Sequence, residues 1–132
     1  MKERGFTVIE LLVAIVLLAI IGTVLFIQKS QYESMDRNEE RRTAINAMYY
    51  NLEDVFYLKN QYYPKSIDNK NLTAMDSALL KDPNGIQVGT TGSDYRYDPV
   101  DCENDKCKGY TLRATLENEE DFIKKNRDHS TN

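Results

Sequence analysis

One carboxylate in this chain stands where a carboxylate is costly. Glu10 lies at the front of an apolar run from Phe6 to Ile27. At about 1.5 Å per residue, a helix of that length spans roughly 33 Å, enough for a hydrocarbon core of about 30 Å. An unpaired acid at bilayer depth costs on the order of 2 to 3 kcal/mol or more, so it calls for a partner. The run contains no lysine or arginine, so that partner must come from elsewhere. A second reactive pair is Cys102 and Cys107, the two cysteines of the chain, which bracket Glu103-Asn104-Asp105-Lys106. The same stretch is rich in oxygen donors, with Asp94, Asp98, Asp101, Glu103 and Asp105. Calcium takes about six to eight oxygens. Asp98, Asp101 and Asp105 are therefore candidate calcium ligands, against the plainer reading of a solvated acidic loop.

Other chemistries find no players. There is no glycine-rich phosphate loop and no nucleophile elbow, and the single histidine, His129, lies far along a polar tail, so no enzyme site is expected. The same isolation argues against a zinc site on the two cysteines. The formal net charge is -4, which gives no support to nucleic-acid binding.

The elements that must position these residues follow from periodicity. After a charged stretch, Lys29 to Arg42, apolar residues return at Ile45, Met48, Tyr49, Leu52, Val55, Phe56, Tyr62 and Tyr63, a helical stripe. The helix is expected to continue to Tyr63, because Pro64 cannot extend it. Gly22 and Thr23 mark either local loosening or close helix packing. A short helix is expected near Leu79 and Leu80, capped by Thr73 and Asp76, followed by a turn at Asp82-Pro83-Asn84-Gly85 and a flexible loop at Gly89 to Gly92. Tyr110, Leu112, Ala114 and Leu116 alternate with polar residues as in a half-buried strand, and Tyr95 and Tyr97 offer a shorter version. An antiparallel sheet laid on the helix stripe gives an α+β head. The expected organisation is a leader over 1–5, a membrane-spanning helix over 6–28, its continuation into the head over 29–63, the globular head over 64–117 and a polar tail over 118–132.

Lys2 and Arg4 precede the apolar run, which places the amino terminus inside and the long remainder outside the cytoplasmic membrane, in a single pass. In an exported domain the spacing of Cys102 and Cys107 favours a disulfide closing a tight loop.

The charged leader, the glycine, and Gly5-Phe6-Thr7-Val8-Ile9-Glu10 with its hydrophobic tail resemble the class III signal of type IV pilins and type II secretion pseudopilins. The resemblance implies that a prepilin peptidase cuts after Gly5 and methylates the new amino group of Phe6. It also implies that the chain then waits in membrane lipid until an assembly platform polymerises it with other pilin subunits into a surface filament for adhesion, motility or DNA uptake. Pilins often carry a disulfide loop near the carboxyl end, and some pseudopilins hold calcium in a nearby loop. After cleavage, Glu10 of an incoming chain is expected to pair with the Phe6 amine of the chain before it, because a buried charge left alone punishes a wrong axial offset. The alternatives are a secretion pseudopilin, or a single-pass membrane-tethered binding module that never polymerises.

Overall fold

A computed structural model describes residues 5–130. The expected leader therefore lies outside the described residues except for Gly5, as do Thr131 and Asn132 of the expected tail. The chain divides into two compact units, one up to Met35 and one from Asp36 onward.

The first unit is the amino-terminal part of helix α1 (Val8–Asn51). Every large apolar side chain from Val8 to Ile27 is exposed, with apolar residues on all faces. A helix apolar all round needs an apolar medium or other helices around it. Among the described residues this is the one helix long and apolar enough to cross a membrane. It runs unbroken through Gly22 and Thr23, where the Thr23 hydroxyl donates to the Ile20 carbonyl at 2.8 Å.

The second unit is an α+β head. The part of α1 from Asp36 onward supplies Ala44, Ile45 and Met48, and Leu52 follows; they pack with Tyr63, Tyr95, Tyr97, Tyr110, Leu112 and Ala114 in one core. The apolar stripe read from the sequence ends at Leu52. A π-helical turn, Leu52–Tyr57, follows α1 and fits an extra residue into the turn. It brings Glu53 into the interior at 1% exposure and leaves Val55 outside, where a plain α-helix would favour the reverse. A last short helix, α2 (Leu58–Asn60), ends at Gln61, whose φ of 64° is the left-handed helix stop. The helical segment thus stops three residues short of the expected Tyr63. Tyr63 precedes a proline and is extended, forming β1 (Tyr63–Pro64).

The sheet is antiparallel, in the order β1, β3, β2, with β2 spanning Tyr95–Glu103 and β3 spanning Lys106–Ala114. β4 (Phe122–Lys125) pairs with β3 through Thr111 to Ala114. This strand lies in the segment expected to be only a polar tail. Backbone pairing at a strand edge needs little apolar content, so two apolar residues suffice. Between β1 and β2, a 3₁₀ turn (Ser77–Leu80) is capped by Asp76 alone, whose Oδ1 accepts from the Ala78 N–H at 2.9 Å. Asp82, in the expected turn, is buried and accepts backbone N–H groups from Asn84, Ile86 and Asp94, each at 2.9 Å.

A polar clasp ties α1 to the chain just before β2 and just after β3. Buried Arg41 pairs with Asp94 at 2.8 Å and with Glu117 at 2.9 Å. Asn38 donates to the Glu117 carbonyl at 2.9 Å and accepts the Glu117 N–H at 2.9 Å. Burial opposes the charge on Arg41, but its two carboxylate partners more than offset that, and the guanidinium is held above its ordinary range.

Candidate functional site

The amino-terminal motif is the first candidate. Gly5, Phe6 and Thr7 precede α1 without helical structure, and Phe6 is 86% exposed. Nothing in the fold requires a glycine at position 5, because a Cβ built there meets no atom within 4 Å. A demand for glycine must therefore come from a molecule that approaches this backbone.

Thr7 is the residue before the first helical position, and Glu10 is the third inside it. The Glu10 N–H donates to Thr7 Oγ1 at 3.3 Å, and the Thr7 N–H donates back to Glu10 Oε2 at 2.9 Å, a reciprocal capping box. The Thr7 hydroxyl adds a bond to the same oxygen at 3.0 Å. Glu10 thus has a partner in its own chain, which the reading of the run as unpaired missed; Thr7 followed three residues later by Glu10 was the available signal. These bonds satisfy one oxygen but do not neutralise its charge.

The second candidate is the hairpin joining β2 and β3. Asn104 and Asp105 form its two-residue turn, with φ of 49° and 66°, the pattern of a type I′ turn. Glu103 faces Lys106 beside the turn, and Cys102 faces Cys107 in the next rung. The two cysteines form the expected disulfide, with Cα atoms 3.9 Å apart. It joins directly opposed strand residues and does not staple a free loop. Asp98 and Asp101 lie on β2 and Asp105 in the turn. Among the described residues no three Asp, Glu, His or Cys side chains converge as a metal site would require, so the structure does not bring the three candidate calcium ligands together.

The third site was not visible in the sequence. Glu53 is enclosed by donors from three distant segments. Its Oε1 accepts from the Tyr110 hydroxyl at 2.7 Å, from the Tyr63 hydroxyl at 3.1 Å and from the Arg127 backbone N–H at 3.2 Å. His129 Nε2 lies 3.1 Å from Glu53 Oε2 and 2.9 Å from the Tyr63 hydroxyl oxygen. With its hydrogen on Nε2 the ring donates to Glu53, and with its hydrogen on Nδ1 it accepts from Tyr63. Burial, with the charge and hydrogen bonds of Glu53 adding to it, pushes the Tyr63 and Tyr110 hydroxyls well above the usual range and keeps both as donors. The His129 ring stacks on Tyr57 with centroids 3.9 Å apart, and Tyr57 stacks on Tyr63 at 4.8 Å. Beside this cluster opens a cavity of about 670 Å³, walled by Tyr57, Tyr62, Lys106, Lys108 and residues 126–130.

A family model described as the prokaryotic N-terminal methylation motif matches residues 1–26, so the chain carries the class III prepilin signal of type IV pilins and pseudopilins. No curated protein and no solved structure matches the chain.

Proposed function

We propose that this chain is a type IV pilin-like subunit, cut after Gly5, methylated on Phe6 and polymerised through its amino-terminal helix into a surface filament. The methylation motif carries the reading. It is supported by a helix whose large apolar side chains are all exposed from Val8 to Ile27, and by a glycine at position 5 that the fold does not need. The subunit waits in the cytoplasmic membrane with its head outside. Partner subunits then replace the lipid around the helix. Gly22 has open space where a Cβ would sit, and a small residue there lets another helix approach closely.

In the filament, Glu10 pairs with the Phe6 amine of the preceding chain. The bonds to Thr7 hold the carboxylate ready and leave its charge uncompensated. The same capping box also favours a second reading, in which Glu10 merely starts the helix of a tethered, non-polymerising module. Filaments of the wild type separate the two readings, and Glu10→Gln then tests the pairing, because glutamine completes a capping box as glutamate does but cannot form a charge pair. In cells that cleave the variant normally, charge pairing predicts that sheared surface material contains few filaments. Normal assembly of cleaved Glu10→Gln subunits would refute the pairing. Mass spectrometry of wild-type filaments should find a chain starting at a methylated Phe6, and an intact Met1 terminus there would overturn the assignment itself.

A further inference from the structure

We propose that residues 127–130, rooted at Asn126, form a detachable strap that locks the π-helical turn Leu52–Tyr57 and closes one side of the neighbouring cavity. Docked and undocked, the strap gives the head two states.

The strap is held by polar contacts and ring stacking, and it contributes no residue to the buried apolar core. Its contacts converge on two consecutive side chains of the π-turn. Inside, Glu53 takes the Arg127 N–H at 3.2 Å and His129 Nε2 at 3.1 Å. Outside, Asp54 takes both arms of the Arg127 guanidinium, at 2.5 and 3.2 Å, while Arg127 Nε donates to the Tyr49 hydroxyl at 3.3 Å. The strap root is also built: the Asn126 N–H donates to the Tyr110 carbonyl at 3.2 Å, and Asn126 Oδ1 accepts the Tyr110 N–H at 3.1 Å. Gly109 makes room for that side chain, since a Cβ there would lie 2.6 Å from Asn126 Oδ1. The root stays on β3, and the part beyond it can leave.

Elements that bury few apolar contacts open locally at a small fraction of the global unfolding cost. The strap meets that description, whereas the tyrosine donors on Glu53 belong to the core and stay. A π-turn is rare in a helix and persists where surrounding contacts hold it. When the strap leaves, Glu53 and Asp54 lose four of the contacts that fix them, and Tyr57 loses the His129 ring from one face. The turn is then free to tighten toward the α form. Such a change rotates the residues after it, with the left-handed Gln61 as the joint. It also removes residues 127–130 from the cavity wall.

The test is amide hydrogen exchange, read by mass spectrometry on the full chain in detergent micelles, for the wild type, Arg127→Ala, His129→Ala and Asp54→Asn. The last substitution is on an exposed side chain and attacks the clamp from the helix, so it guards against misfolding of the strap variants. Exchange over residues 53–60 should rise about fivefold in Arg127→Ala and Asp54→Asn, the most that an exposed ion pair usually contributes, and about tenfold in His129→Ala. Residues 95–114 of β2 and β3 should exchange as in the wild type. Unchanged exchange over 53–60 in all three variants would overturn the proposal. So would a rise over 53–60 matched in step over 95–114, because the strap would then be an ordinary part of one cooperative unit.

Discussion

Replacing Glu53 tests whether the head is built around its buried carboxylate. In Glu53→Leu, an apolar side chain of similar size leaves the buried Tyr110 hydroxyl facing it without an acceptor, and leaves the buried Tyr63 hydroxyl with only His129 Nε2, 2.9 Å away. Each orphaned polar group costs about 1 to 3 kcal/mol, so the loss runs from that figure for Tyr110 alone to roughly 6 kcal/mol for both hydroxyls. Domains of this size are stable by only about 5 to 15 kcal/mol, so the variant should lose a large part of its stability. Glu53→Gln keeps an acceptor for Tyr110 but turns an amide toward the remaining donors, and its loss should be about 1 kcal/mol, the difference between charged and neutral hydrogen bonds. The assay is denaturant unfolding of the full chain in micelles, followed by near-ultraviolet circular dichroism of the tyrosines, which reports the packed head. The expected order of midpoints is wild type, then Gln, then Leu. Removing the stranded hydroxyls as well, in Glu53→Leu with Tyr63→Phe and Tyr110→Phe, should recover most of the loss, because deleting both partners of a buried hydrogen bond is close to neutral. A Glu53→Leu head as stable as wild type would refute the reasoning. So would a triple variant no better than the single one, since the loss would then come from packing and not from unsatisfied donors.

Two further outcomes follow from the same core. Burial above all raises the pKa of Tyr63, Tyr95, Tyr97 and Tyr110, so their folded values lie above their unfolded value of about 10, and the stability they confer is intact below that pH and lost above it. At about 1.4 kcal/mol per tyrosine per pH unit, the four together cost roughly 5 kcal/mol per unit. The head should therefore unfold steeply above pH 10, with four of the nine tyrosines developing phenolate absorbance in the same step as the loss of circular dichroism; phenolate absorbance complete before unfolding would contradict this. At the hairpin, Asp105→Gly should raise stability by about 1 kcal/mol in the same unfolding assay, because glycine adopts the φ of 66° without the cost borne by aspartate, and a lower midpoint would count against the turn assignment.

The contrast between what was legible in the sequence and what was not follows the distance over which each feature is determined. The apolar run, the leader and the strand alternation at Tyr110 to Leu116 are patterns of neighbouring residues, and so is the motif around Gly5 and Glu10. The cysteine pair was legible as a bridge, and its strand-to-strand form is explained by Asn104 and Asp105, two residues that tolerate positive φ at the centre of a hairpin. Glu53 was not legible, because its place in the core depends on partners 10, 57, 74 and 76 residues away. A helical wheel continued from Ile45, Met48 and Leu52 favours Val55 on the buried face, and only the π-turn moves that choice to Glu53. His129 seemed isolated for the same reason: its neighbours in the sequence are polar, whereas its neighbours in space are Tyr57, Tyr63 and a carboxylate. A buried acid and a distant lone histidine each look like exceptions when taken separately. Their meeting accounts for both, since the carboxylate needs donors that the core alone supplies only in part, and the strap brings the rest.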